Sequence, residues 1–412
     1  MVRVLAYTSP ALGHLEPLLP VLMALRSGGA EVSVRTLPDQ LARVRAHGVA
    51  ARPLDPAVLA VGLEDWRARG QLAALRASVT TFAARAEHDA EDLARAIEED
   101  GPDLLVVDVN SWGALAVAEA SGLPYAVLAP YPLALRSQDA PPFGPGLRPA
   151  QGFPGRLRDR LLSPVVLGTL ERVMLPPLNR TRAARGLTPL HRYDDLLRAA
   201  PLVLATTAEP FEYHRRDWPG NVRLVGPCVD LEEATGPPAW LSAIEQPIVL
   251  VTTSSEFQQD RRLVEAAVEG LRGTGLHVVA TVPAGDAALL AAGPEAHVVG
   301  WAPHAPLLRS AVCAVTHGGM GATQRALAHG VPVCAVPFGR DQHEVARRVD
   351  VARAGTRLPA HRLTPDRLRA AVQKAIQRRP GATRVAAAFA AAPGAAGAAS
   401  AVLGLSRAPD RH

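Results

Sequence analysis

Lysine is almost missing from this chain. Lys374 is the only one, and arginine carries nearly all of the positive charge. The net charge is +5, yet cations and acids are interspersed, and no basic run is long enough to argue a nucleic-acid surface. Aromatic residues make up only 4%, which leaves little for base stacking. The three cysteines, Cys228, Cys313 and Cys334, are odd in number and widely spaced. That argues against a disulfide framework or a zinc site and fits a reducing cytoplasm. The first residues run straight into an apolar strand, VRVLAY, without a secretory-leader pattern. No apolar stretch reaches membrane-spanning length without a charge or a proline. The expectation is a cytoplasmic protein with no membrane span and no nucleic-acid partner.

What is present is a long alternation. The chain has 412 residues, enough for two domains with separate cores. Short apolar runs at Val2–Tyr7, Glu31–Thr36, Asp103–Asp108, Pro124–Ala129 and Pro201–Thr206 alternate with helical patterns. A second series follows at Pro247–Thr253, Leu276–Val282, His297–Gly300, Ala311–Thr316 and Pro332–Val336. Strands alternating with helices predict parallel sheets, and two series predict two doubly wound α/β domains. The break falls in VGPCVDLEEATGPPAW, which is rich in proline and glycine and has no period. The expected division is an N-terminal domain at 1–224, a linker at 225–246, a C-terminal domain at 247–384 and a helical tail at 385–412. An irregular stretch, Tyr131–Gly155, follows a strand end and reads equally as a pocket wall or a surface excursion.

Several residues stand where such folds do chemistry. The first strand leads into SPALGHLEPLLP, with a helix expected to start near His14 or Leu15. Imidazole suits general-base work near neutral pH, and the strand-to-helix turn puts it at the sheet's C-terminal edge. The turn lacks the G-x-G-x-x-G fingerprint, which argues against a nicotinamide cofactor. Asp108 closes the run DLLVVD and stands either as an orienter of that histidine or as a cap for the helix near Ser111. The segment THGGMGATQ runs from a strand into His317, two glycines and a helix start, a place for a diphosphate. The polar turn TTSSEF at Thr252–Phe257 offers further hydroxyls and amides. Asp341 and Gln342 follow a strand and a turn, suited to vicinal sugar hydroxyls or, for Asp341, to helix capping.

These residues together resemble family 1 glycosyltransferases of the GT-B fold, particularly bacterial enzymes that decorate natural products. The resemblance is strongest from Trp301 through Gln342, where WAPHAPLL, THGGMGATQ and VPFGRDQ follow in the family's order. It implies two Rossmann-like domains facing each other across a cleft. It implies an inverting, metal-independent transfer of a sugar from a nucleoside diphosphate to a small hydrophobic acceptor, with no bound cofactor. His14 matches the general base and Asp108 its acid partner. Trp301 matches the aromatic that stacks on the base, with the His304 backbone nearby. His317, Gly318, Gly319, Gly321 and Ala322 match the diphosphate loop, and Ser254 and Ser255 the facing hydroxyls. Asp341 and Gln342 match the pair that holds the donor sugar. One position departs. Many members carry a ribose-binding glutamate eight residues beyond the phosphate histidine, and here that residue is Arg325, preceded by Gln324. The departure favours a dTDP-linked donor over a UDP-linked one. A homodimer is compatible with this organisation. The competing expectations are a non-catalytic sugar-nucleotide-binding partner and a GT-B-fold epimerase.

Overall fold

The computed structural model describes residues 1–68, 70–150, 152–229, 236–256, 258, 260–285, 287 and 293–406. Among them lie two parallel sheets, each reversing direction once in strand order. The first runs β3-β2-β1-β4-β5-β6-β7, built from β1 Arg3–Tyr7, β2 Glu31–Thr36, β3 Ala50–Pro53, β4 Leu104–Asp108, β5 Tyr125–Ala129, β6 Leu202–Ala205 and β7 Val222–Leu224. The second runs β10-β9-β8-β11-β12-β13, built from β8 Ile248–Thr252, β9 His277–Thr281, β10 Ala296–Val299, β11 Ala311–Thr316, β12 Val333–Ala335 and β13 Gly355–Arg357. Every pairing in both is parallel. Central strands such as LLVVD and IVLVT are buried along their whole length. That burial on both faces is why they read as unbroken apolar runs.

The reversals decide where ligands can sit. In the first sheet the order turns at β1 and β4, neighbours in register from Val4 with Leu104 to Tyr7 with Val107. In the second it turns at β8 and β11, which pair from Ile248 with Ala311 to Thr252 with Thr316. A crevice opens beyond the strand ends at such a point, because the flanking loops leave toward opposite faces of the sheet.

Three strands lack a sequence signal. β3, β7 and β13 are edge strands of three or four residues with polar or exposed positions, and no apolar run marks them. The first helix, Leu12–Ser27, opens two residues before His14, the earlier of the two expected starts, so His14 stands in its first turn. The irregular stretch ends at the helix Gly152–Ala183, which carries three prolines and several arginines. By length and composition that helix and the tail are long and apolar enough to cross a membrane. In the tail, helix Arg379–Ala391 stops before Pro393, and helix Gly394–Leu405 follows. Val385 and Phe389 pack in the core of the second sheet. Ala398, Ala399 and Val402 pack with Leu18 and Leu22 of the first helix in the core of the first sheet. Within 225–246, residues 230–235 lie outside the described residues, and Ala239–Ala243 forms a short 3-10 turn. Residues 407–412 of the tail also lie outside them.

Candidate active site

The two crevices face each other across a cleft enclosing about 1660 Å³. Pockets for one drug-sized ligand span roughly 300–1,000 Å³, so this cleft has room for two substrates. On one side, β1 delivers His14 and β4 delivers Asp108. His14 Nδ1 lies 2.6 Å from Asp108 Oδ2. The other oxygen, Asp108 Oδ1, accepts the Asn110 backbone N–H at 2.8 Å. Asp108 therefore shapes its own turn and caps no helix side-on; the next helix, Trp112–Ala120, has no side-chain cap. Burial alone would push the His14 imidazole down. The charge and hydrogen bond of Asp108 outweigh it, with help from Asp341 and Glu256, and the net shift is upward. With Nδ1 committed to Asp108, Nε2 is the atom left for a substrate proton.

Of two neighbours of His14, Asn110 carries no sequence signal, and Tyr131 opens the irregular stretch, which lines the cleft here. Asn110 Nδ2 stands 3.5 Å from His14 Nε2, and Asn110 Oδ1 accepts the Tyr131 hydroxyl at 2.7 Å. The Tyr131 ring meets the imidazole edge-on at 6.0 Å. Both come from loops whose contents only the fold brings together. For a chain poor in aromatics, this half of the cleft is rich in them. Trp66, Phe82, Trp112, Tyr131, Phe143 and Tyr193 all line it.

Across the cleft, β11 runs into His317, Gly318 and Gly319, and the helix Met320–Ala328 follows. Gly318 adopts φ +88, a left-handed turn that suits glycine. A Cβ on Gly319 would stand 2.3 Å from His317 Nε2, so only glycine lets the imidazole lie over the helix start. Burial pushes the His317 imidazole below its ordinary value, Asp260 pulling the other way. A neutral ring has one N–H to donate. Its Nδ1 is buried without a hydrogen-bond partner among the described residues. No side chain caps this helix, so the amides that open it, near Gly321 and Ala322, face the cleft.

The facing turn after β8 brings Ser254 and Ser255. Ser254 Oγ is buried and accepts from the Glu256 backbone N–H and from Gln258 Nε2, while Ser255 is exposed in the cleft. Phe257 lies outside the described residues. Trp301, 66% exposed, presents an open indole face at the same mouth. His304 Nε2 stands 3.0 Å from Thr281 Oγ1, and burial and the Arg325 charge push its imidazole down to about 4.

Asp341 and Gln342 part company. Gln342 is buried, and its Oε1 accepts the backbone N–H groups of Phe338 and Gly339 at 2.8 and 3.1 Å. Its Nε2 donates to Gln258 Oε1. The amide oxygen is thus spent on shaping the turn, while Nε2 keeps a second N–H and Gln342, like Asp341, lines the cleft. Asp341 stands at the N-cap of helix Gln342–Val351 yet makes no side-chain capping bond, and it lines the cleft. Burial raises its carboxyl above the ordinary range, against the pull of Arg340 and His14.

Arg325 points across the cleft, its Nη2 3.4 Å from Glu16 Oε2 on the first helix. Gln324 is buried and donates to the Thr206 carbonyl at 2.6 Å. Among the described residues, no cluster of three histidine, cysteine, aspartate or glutamate side chains is arranged to hold a metal.

Comparison with known proteins bears on the family and the fold. The family described as erythromycin biosynthesis protein CIII-like, C-terminal domain, matches residues 268–405. The chain is 32% identical to 4'-demethylrebeccamycin synthase of Lentzea aerocolonigenes, over 90% of this chain and 91% of that one. It is 29% identical to elloramycin glycosyltransferase ElmGT of Streptomyces olivaceus, over 86% and 85%. The fold matches glycosyltransferase VinC in complex with dTDP, with a TM-score of 0.67 and 20% identity over 98% and 100% of the two chains.

Proposed function

The chain belongs to the natural-product glycosyltransferases of family 1, GT-B in fold, and on that footing we propose an inverting, metal-independent transfer from a dTDP-linked sugar to a small hydrophobic acceptor. The observation that carries this is the His14–Asp108 pair at 2.6 Å, set across the cleft from the His317 helix start. His14 Nε2 takes the proton of an acceptor hydroxyl. The freed oxygen attacks the anomeric carbon as the bond to the diphosphate oxygen breaks, so one displacement inverts that centre. Charge on the departing diphosphate is met by the His317 N–H, the amides opening helix Met320–Ala328 and the Ser255 hydroxyl. That supply of donors stands where a divalent cation would otherwise act. Asp341 takes the sugar hydroxyls, and Gln342 holds the turn that presents it. The aromatic half of the cleft suits a flat, hydrophobic acceptor. A non-catalytic partner would have no use for the paired base, so the enzyme reading is favoured.

The donor preference rests on Arg325. A glutamate there would accept hydrogen bonds from both ribose hydroxyls, whereas arginine has only donors. Its guanidinium turned toward Glu16, and the Gln324 amide bonded to Thr206, both support a weakened ribose grip. The dTDP ligand of VinC supports the same direction. A donor without the 2′-hydroxyl loses less, by about one net hydrogen bond, roughly 0.5–1.5 kcal/mol. Specificity constants for dTDP-glucose and UDP-glucose on one acceptor should therefore differ by about two- to tenfold in favour of dTDP-glucose. Equal constants, or a preference for UDP-glucose, remove the dTDP assignment, while Arg325→Glu should improve use of UDP-glucose.

A further inference from the structure

The turn that carries Asp341 is gripped from both sides. Behind it, the buried Gln342 amide bonds back to Phe338 and Gly339. Ahead of it, Arg340 reaches out of its own half of the molecule. Its Nε donates to Asp65 Oδ2 at 2.7 Å and its Nη2 to Asp65 Oδ1 at 2.6 Å. Asp65 opens the 3-10 turn Asp65–Arg67, is 4% exposed, and also accepts the Ser78 hydroxyl at 3.3 Å. A two-pronged bond from a planar guanidinium to a buried carboxylate fixes orientation as well as distance. The backbone carries a second mark. Arg340 has φ +52, a left-handed conformation that residues with a side chain rarely adopt. Such a conformation persists only where the surroundings hold it.

The segment that holds it is also a wall of the acceptor side, where Leu63, Trp66 and Ala68 line the cleft beside Asp65. We propose that Arg340 is a positioning residue: by pairing with Asp65 on the acceptor wall it sets Asp341 against the donor sugar. The proposal rests on the reading of Asp341 as the sugar contact. Other ties keep the halves together when this one is lost. Glu344 Oε1 accepts the Gly144 and Gly146 backbone N–H groups at 2.8 and 2.9 Å, and Arg348 pairs with Glu212 at 2.8 Å. A Cβ on Gly146 would stand 2.3 Å from the His343 carbonyl, so this second tie is a close backbone approach.

The test uses Arg340→Asn, Arg340→Lys, Asp65→Asn, the double variant of Asn at both, and Asp341→Ala. Asparagine tolerates the left-handed backbone, so Arg340→Asn removes the pairing and spares the turn. Turnover, donor KM, the Kd of free nucleoside diphosphate and Tm are measured for each. Arg340→Asn and Asp65→Asn should each lower kcat by about 10- to 100-fold, the scale of a small misplacement, and raise donor KM. Diphosphate Kd should stay near the parent value, and Tm should fall in Arg340→Asn, which leaves the buried Asp65 carboxylate without its partner. The double variant should be no worse than either single one, and Arg340→Lys should recover part of the loss. A double variant that loses the product of the two single effects overturns the proposal. So does a Kd for free diphosphate that weakens in step with kcat. Loss in Asp341→Ala with full activity in Arg340→Asn refutes the positioning role alone. Full activity in Asp341→Ala removes the sugar contact and the proposal with it.

Discussion

Replacing His14 with alanine lowers turnover by about 10²–10⁴-fold on an aliphatic alcohol acceptor, the range expected when a general base is lost. The proposed diphosphate site lies in the other half of the cleft, around His317 and helix Met320–Ala328, so donor binding should survive the change. An aliphatic hydroxyl is the stringent acceptor because it stays protonated near neutral pH, whereas a phenol supplies some ionised oxygen without help. The measurement is kcat and donor Kd for the variant on matched alcohol and phenol acceptors. The loss should be smaller for the phenol. Turnover near that of the parent on the alcohol would remove His14 from the mechanism.

Asp108→Asn should give the second largest loss and a displaced pH profile. The carboxylate accepts a hydrogen bond from His14 Nδ1–H at 2.6 Å and is aligned by the Asn110 backbone N–H. It stabilises the imidazolium that forms as the acceptor loses its proton, and asparagine removes that charge. A drop of about 10²-fold in kcat, the lower end of general-base effects, is expected because the imidazole itself remains. The sign of the pH shift follows from the environment. The base works only when neutral, so kcat/KM falls on the acid side as His14 protonates. Burial lowers the imidazole's pKa, and Asp108, with Asp341 and Glu256, more than reverses this, so the parent's acid limb lies above the ordinary histidine value of 6.5. Without the Asp108 charge, burial dominates and the limb moves to lower pH. A limb that stays in place, or moves up, contradicts the pairing as the cause.

The sequence carries the skeleton of this site because each part sits where a strand ends. His14, Asp108, Thr252 and His317 all fall at or just beyond the C-terminal ends of strands flanking the two reversals in sheet order. Apolar runs reveal those strands, since central parallel strands are buried on both faces. The edge strands β3, β7 and β13 lack that burial and go unmarked. The acceptor side is harder to read for a different reason. Asn110 and Tyr131 meet His14 only through tertiary placement, and Asp65 meets Arg340 across 275 positions of sequence. Neither spacing nor periodicity encodes such a pair. Asp341 and Gln342 show the limit of adjacency. Side by side in sequence, both line the cleft, but they diverge in the fold because the Gln342 amide oxygen is bonded into the turn.

The proposed reaction is a single displacement at the anomeric carbon, driven by His14 and served by protein donors in place of a metal. It is tested most directly by the product formed from dTDP-α-D-glucose and an alcohol acceptor in the presence of EDTA. The anomeric configuration is read from the H1–H2 coupling by proton NMR. Full activity and a β-glucoside are expected, with the large coupling of two axial protons. An α-glucoside, or no product until a divalent cation is restored, would contradict it.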